Sequence, residues 1–170
     1  MGILGGVRIG DDTLFQRVSV GGTFDGLHYG HRKLLTLAVS SVDPLSGTLL
    51  VGVTSDEMLT KKKLSRLIPP LSERIESVRK FLDKLSPGLK NRRKIVAIND
   101  TFGPPGRDKY FDALVLSHET LPTGHELNER RASMGLPKLK LLCTRRTEPN
   151  SMSSTALRRL KDRKQSQKMQ

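Results

Sequence analysis

Between Gly21 and His31 the chain reads Gly-Gly-Thr-Phe-Asp-Gly-Leu-His-Tyr-Gly-His, directly after an apolar Val18-Ser19-Val20 and directly before a helical pattern. Glycines let a backbone come within contact distance of a phosphate, and a helix start offers unpaired N–H groups at the positive end of its dipole. His28 and His31 can add two donors, so the whole run suits phosphate chemistry. A second set near the other end has the same character. Met152-Ser153-Ser154-Thr155-Ala156-Leu157-Arg158 puts three hydroxyls at the head of an expected helix and a guanidinium one turn later. Hydroxyls there can donate to phosphate oxygens or cap the helix, and the arginine can neutralise charge on a departing group. Taken alone, each histidine also reads as a surface or cap residue, and the serine run as a cap on a basic helix.

The elements that must position these residues follow from periodicity. Apolar, β-branched runs predict strands at 17–20, 48–54, 94–98, 113–117 and 139–144, and helical patterns lie at 31–41, 72–85, 124–134 and 153–161. In the second helix Leu71, Ile75, Val78, Leu82 and Leu85 recur at spacings of three and four, and Ser72 before Glu73 suits a cap with an acid in the first turn. Strands alternating with helices imply right-handed crossovers. The expected fold is therefore α/β, a single Rossmann-like doubly wound domain with a five-stranded parallel sheet. Ligands in such sheets sit beyond the carboxyl ends of the strands, where the glycine-rich run falls. Residues 1–16 are expected as a flexible extension, 17–163 as the domain, and 164–170 as a polar basic tail.

A chain of 170 residues is the size of one domain, and 35% hydrophobic with 28% charged residues suits a globular one. The lone Cys143 excludes an internal disulfide framework and a cysteine-only metal cage, and favours a reducing compartment. It reads as a small core residue at a strand end, not as a nucleophile. No stretch is long and apolar enough to span a membrane, so a cytoplasmic protein is expected. The net charge of +13 is uneven: −2 over 1–57, +9 over 58–94, −2 over 95–137 and +8 over 138–170. Two separated basic segments can converge on one polyanionic ligand, form solvated surface, or bind nucleic acid nonspecifically. With five Phe, two Tyr and no Trp, stacking platforms for single-stranded nucleic acid are few, and nucleic acid is not an expected partner.

The first run resembles the GTFDxxHxGH signature of the HxGH nucleotidyltransferase superfamily, and Met152 to Arg158 looks like its ISSTxxR motif with Met in place of Ile. Between them, Val51 to Leu59, Lys61 to Lys63, Leu71 to Arg74, Asp100 to Pro104, Val115 to Thr120, and Asn128 through Arg131 to Leu136 resemble the phosphopantetheine adenylyltransferases of eukaryotes and archaea. That resemblance runs from about Val18 to Leu160. It implies that ATP and 4'-phosphopantetheine give dephospho-coenzyme A and pyrophosphate, with Mg²⁺ accompanying the nucleotide and no metal site of the protein's own. It also implies roles. Thr23 and His31 would hold phosphates at the transfer centre with His28 assisting, and Lys62 beside Lys61 would contact the acceptor's phosphate, making Thr23, His28, His31 and Lys62 the catalytic set. Gly22, Thr23, Phe24, Asp25, Lys61 and Lys62 would line the acceptor side. Gly21, Gly22, His28, His31, Asn128, Arg131, Ser153, Ser154, Thr155 and Arg158 would line the ATP side. His118 stands where the family commonly has an acid. The competing readings are a cytidylyltransferase or nicotinamide mononucleotide adenylyltransferase of the same fold, and an RNA-binding protein that keeps the fold. A monomer is the expected state.

A phosphate monoester is already anionic near neutral pH and needs no general base to become a nucleophile. Positioning and charge neutralisation can then carry such a transfer. No Ser-His-Asp arrangement is required.

Overall fold

The computed structural model describes residues 3–4, 7–8, 14–62 and 64–144. Two two-residue strands, β1 (Ile3–Leu4) and β2 (Val7–Arg8), pair antiparallel. The main chain path is then β3 (Arg17–Gly22), α1 (Tyr29–Ser41), β4 (Thr48–Thr54), α2 (Leu71–Leu85), β5 (Arg93–Ile98), β6 (Ala113–Leu116), α3 (Leu121–Ser133) and β7 (Lys140–Cys143). Strands β3 to β7 form one parallel sheet in the order β5-β4-β3-β6-β7. The α/β, Rossmann-like, five-stranded parallel architecture expected from sequence is the one observed. Pairing begins before Arg17, since the Phe15 N–H donates to the Ser41 carbonyl and the Thr48 N–H to the Gln16 carbonyl.

The order reverses at β3, which has β4 on one side and β6 on the other. A doubly wound sheet splits its crossover helices between its faces at such a point, leaving a crevice past the strand ends. Alternation along the strands builds two cores. Val18, Val20, Leu49, Val51 and Val53 pack with Leu34, Leu35, Val78 and Leu82 of α1 and α2. On the other face Leu114 and Leu116 pack with Phe111, Leu127 and Leu139 under α3. Among the described residues no helix is long and apolar enough to cross a membrane.

Several local expectations change. Helix α2 begins at Leu71, and Ser72 makes no side-chain cap; the Leu71 N–H donates instead to Asp56 Oδ2 at 3.3 Å. The cap is thus delivered from the end of β4, through space. Leu85 closes the apolar spacing but is 39% exposed, because the helix stops there and the stripe runs off the sheet edge. Helix α3 starts three residues before the expected 124, with Pro122 in its first turn, where a missing N–H costs nothing. Ahead of it, the Ser117 and Thr120 side chains form a capping box. The expected helix at 153–161 lies outside the described residues.

Candidate active site

The turn after β3 is set by where its side chains can go. Phe24 adopts a left-handed backbone (φ 52), and Gly26 lies at φ 130. A non-glycine residue at positive φ costs about 1–2 kcal/mol. Here it sends the Phe24 ring into the core, fully buried, with its centroid 5.4 Å from that of His31. Phe24 is therefore not a ligand-facing residue, contrary to the sequence expectation: the turn spends it as an anchor that orients His31. Its neighbours Thr23 and Asp25 line the cleft.

His28 is the N-cap of α1, its Nδ1 accepting the Gly30 N–H at 3.0 Å. An accepting Nδ1 puts the proton of the neutral ring on Nε2. The His31 ring stacks on it at 3.9 Å, tilted by 24°. Burial lowers the pKa of both. His31 falls to about 4, with the neighbouring His28 and Lys62 adding to the burial effect and Asp25 opposing it. In His28 burial leads, and Asp25 and Glu119 oppose it. Both rings are thus held neutral near pH 7, as N–H donors in place of cations.

Positive charge comes from Lys33 of α1 and from Lys62, which the segment after β4 brings in. Lys62 Nζ donates to Thr23 Oγ1 at 2.9 Å, across 39 residues of sequence. The cleft has a volume of about 510 Å³ and is lined along its rim by Gly21, Gly22, Thr23, His28, His31 and Lys62. Its floor lies on the α3 face of the sheet, over Ser19, Leu50, Gly52, Leu114 and Leu116, with Phe102 beside them. Gly52 keeps that floor open: a Cβ there would stand 2.9 Å from Ile98 Cγ2. His118, Glu119, Thr120 and Thr123 close the α3 side. Among the described residues no group of three or more His, Cys, Asp or Glu could hold a metal ion.

Two expected nucleotide contacts are not in the cleft. Asn128, 8% exposed, spends its amide on the backbone of Leu139: Nδ2 donates to the carbonyl at 2.9 Å and Oδ1 accepts the N–H at 2.7 Å. Arg131 is fully buried. Its Nε donates to the Pro137 carbonyl at 2.7 Å, and its Nη1 to those of Pro105 and Asp108, each at 2.7 Å. Both residues tie α3 to the loops beside it, and this is a correction to the sequence reading. Lys61 is exposed and does not line the cleft. Cys143 is half-buried, its thiol donating to the Thr144 carbonyl, and burial pushes its pKa up, away from thiolate character. Lys63, Arg145, Arg146, Ser153, Ser154, Thr155, Arg158, Arg163 and Lys164 lie outside the described residues.

Sequence reasoning missed the apolar floor and missed Arg74 and Asp56. A signal for Arg74 existed: it lies three residues after Leu71 and four before Val78, on the apolar stripe of α2. A charge on a buried stripe must be paired or hydrogen-bonded.

Comparison with known proteins places this geometry. A cytidylyltransferase-like family model matches residues 19–160. The phosphopantetheine adenylyltransferase of Methanopyrus kandleri is 37% identical over 128 residues, covering 75% of this chain and 77% of the relative. That of Saccharomyces cerevisiae is 33% identical over 157 residues, covering 88% of this chain and 50% of the relative. Among solved structures, an Archaeoglobus fulgidus protein described as of unknown function superimposes with a TM-score of 0.64 at 30% identity, covering 77% of this chain and 99% of its own.

Proposed function

The chain belongs to the cytidylyltransferase-like family, and from that membership we propose that it transfers the adenylyl group of ATP to 4'-phosphopantetheine, giving dephospho-coenzyme A and pyrophosphate. The observation that carries this reading is the Lys62–Thr23 contact at 2.9 Å, facing the neutral His28–His31 pair across one rim. A cation, a hydroxyl and imidazole N–H donors converge at the crevice of the sheet, and this set recognises phosphate.

In the reaction, an oxygen of the acceptor's 4'-phosphate attacks the α-phosphorus of ATP. The new P–O bond forms as the bond from the α-phosphorus to the bridging oxygen breaks, and the electron pair leaves with pyrophosphate. The nucleophile is already an anion, so no side chain need remove a proton. Lys62 and Thr23 steady the acceptor phosphate, and Lys62 offsets the charge gathering on the oxygens in flight. Neutral His31 donates a hydrogen bond to the same oxygens, with His28 beside it. The apolar floor of Leu50, Phe102, Leu114 and Leu116 suits the largely uncharged pantetheine arm.

Mg²⁺ is read as a companion of the triphosphate. The amides, imidazoles and ammonium groups of the cleft suit phosphate oxygens, and its carboxylates, Asp25 and Glu119, belong to no group of three or more possible metal ligands among the described residues. When bound, the ion would neutralise the nucleotide's charge. The motif from Ser153 through Ser154 and Thr155 to Arg158 is assigned to the pyrophosphate side on its resemblance alone, and the transferase unit is taken as residues 17–163, flanked by 1–16 and 164–170. We read the protein as a cytoplasmic monomer.

The decisive experiment follows pyrophosphate release. It should occur with ATP and phosphopantetheine together and not with either alone. Faster release with CTP than with ATP, or with nicotinamide mononucleotide in place of phosphopantetheine, would sink the assignment and favour another transferase of this fold.

A further inference from the structure

Arg74 is 1% exposed, and its guanidinium is spent on four acceptors from outside its own helix. Nε donates to the Pro69 carbonyl at 2.9 Å, and Nη1 to the carbonyls of Thr23 at 3.0 Å and Thr54 at 2.7 Å. Nη2 donates to Asp56 Oδ1 at 2.7 Å. Asp56, its side chain 61% exposed, takes the Leu71 N–H with its other oxygen. The hydrogen bond from Arg74, and after it the one from Leu71, holds the Asp56 carboxyl below the usual range.

The places these bonds reach are not random core positions. Pairing of β3 with β4 ends at Gly22 opposite Val53. Thr23 and Thr54 are the next residues on each strand, where the backbone ladder has run out. A single guanidinium nitrogen bridges their carbonyls, and the rest of the fork holds both ends of the 55–70 segment, at Asp56 and Pro69. That segment carries Lys62, and Thr23 carries the hydroxyl that Lys62 meets.

We infer that Arg74, with Asp56, is a positioning residue for the transfer: it fixes the phosphate turn against the lysine segment, so that Thr23 and Lys62 meet one phosphate together. This rests on the adenylyl-transfer reading and deepens it. Packing alone does not call for an arginine here. A buried guanidinium carries a desolvation cost, and an apolar residue of similar volume is often neutral or stabilising in its place. Leu or Met would simply continue the stripe of Leu71, Ile75 and Val78. Only a planar fork reaches all four acceptors, and a lysine ammonium cannot.

The test is a double-mutant cycle between Arg74→Lys and Lys62→Ala, read by turnover and by calorimetric titration of inorganic tripolyphosphate. If Arg74 works through the Lys62–Thr23 pair, Arg74→Lys lowers kcat roughly a hundredfold in the native background and less than about threefold once Lys62 is gone. Tripolyphosphate affinity should follow the same pattern, with roughly a tenfold loss shrinking to less than about twofold. Equal losses in both backgrounds overturn the inference and leave Arg74 a support of the fold. Arg79→Gln, on the same helix with its guanidinium half-exposed and paired to Glu76, should change neither readout. Should Arg74→Lys fail to fold, Asp56→Asn runs the same cycle, since it loosens the lysine segment while leaving the carbonyl contacts. A native protein that binds tripolyphosphate but turns nothing over defeats the proposed reaction, and the binding cycle still decides the role of Arg74. No binding by the native protein overturns both.

Discussion

The two sides of the cleft are built from similar residues and put them to opposite uses. On the α1 side, polar groups stand at a chain turn and a helix start: Thr23, His28 and His31 line the cleft, and Lys62 reaches in from the next loop. On the α3 side, Asn128 and Arg131 turn the same kinds of donor inward, onto the carbonyls of Leu139, Pro137, Pro105 and Asp108. The difference is position along the helix. A helix's first turn has free N–H groups and faces the crevice, whereas residues seven and ten places into α3 face the sheet and the loops packed on it. A polar residue in a recognised motif is therefore a ligand contact or a brace according to where its element places it. The buried Arg74 and Arg131 extend the contrast. Arg74 has a carboxylate partner and holds the Thr23 and Thr54 carbonyls beside the cleft, while Arg131 has only carbonyls and burial lowers its pKa, with Asp108 opposing.

The comparison predicts its largest effect at His31. His31→Ala should lower kcat by about three powers of ten or more, equivalent to roughly 4 kcal/mol of transition-state stabilisation, while phosphopantetheine binding measured by titration is nearly unchanged. His28→Ala should be milder, because much of what His28 does is cap α1 at Gly30. Near-normal turnover in His31→Ala would break the assignment of the α1 side as the reacting one.

On the α3 side the expectation moves from rate to stability. Arg131→Ala strips donors from one buried and two part-buried carbonyls and should cost about 2–4 kcal/mol, read as a shift of the urea midpoint. Turnover per folded molecule should stay within about tenfold of native. Asn128→Ala removes two buried hydrogen bonds to Leu139 and should cost about 2–3 kcal/mol. Asn128→Asp should be worse, since it keeps the acceptor for the Leu139 N–H but sets a carboxylate against the Leu139 carbonyl. A large rise in KM for ATP with unchanged stability in either alanine variant would restore the ligand role expected from sequence.

What was legible in the sequence follows the same physics. Strand 48–54 is observed with the expected bounds, and the others within two residues, because alternation and β-branching mark buried strands directly. The turn between β3 and α1 was legible because glycines, histidines and a helix start are adjacent in sequence. The Lys62–Thr23 contact was not legible from the residues alone, since 39 positions separate them and only the parallel pairing of β3 with β4 brings their loops together. Ser72 satisfied a local capping rule and lost to Asp56, which arrives from 15 residues away. Phe24 has cleft-lining neighbours on both sides and still goes to the core, because its left-handed backbone points it there. Local rules read local chemistry, whereas the Lys62–Thr23 and Asp56–Leu71 contacts were made by the topology.

The smallest predicted effect is a pH dependence that tells a neutral donor from a cation. His31 has a folded pKa of about 4 against 6.5 for an ordinary histidine, with burial the leading cause. Between those values the unfolded chain binds the proton and the folded chain does not, so stability is fully present above about pH 6.5 and is lost as pH falls toward 4. The slope from this one group is at most about 1.4 kcal/mol per pH unit, so a fall from pH 7 to 5.5 should cost about 1 kcal/mol. His28 acts in the same direction, while the lowered Asp56 and Asp83 carboxyls act only in more acid solution. His31→Gln should flatten the slope in chemical denaturation series between pH 5 and 7. Binding supplies the complementary sign: bound phosphates raise the histidine pKa, so ATP binding at pH 5.5 should take up a fraction of a proton, read by calorimetry in two buffers of different ionisation enthalpy. A flat stability profile with no proton uptake would mean that His31 is not held neutral against a desolvated wall, and the contrast between an imidazole rim and an ammonium rim would lose its basis.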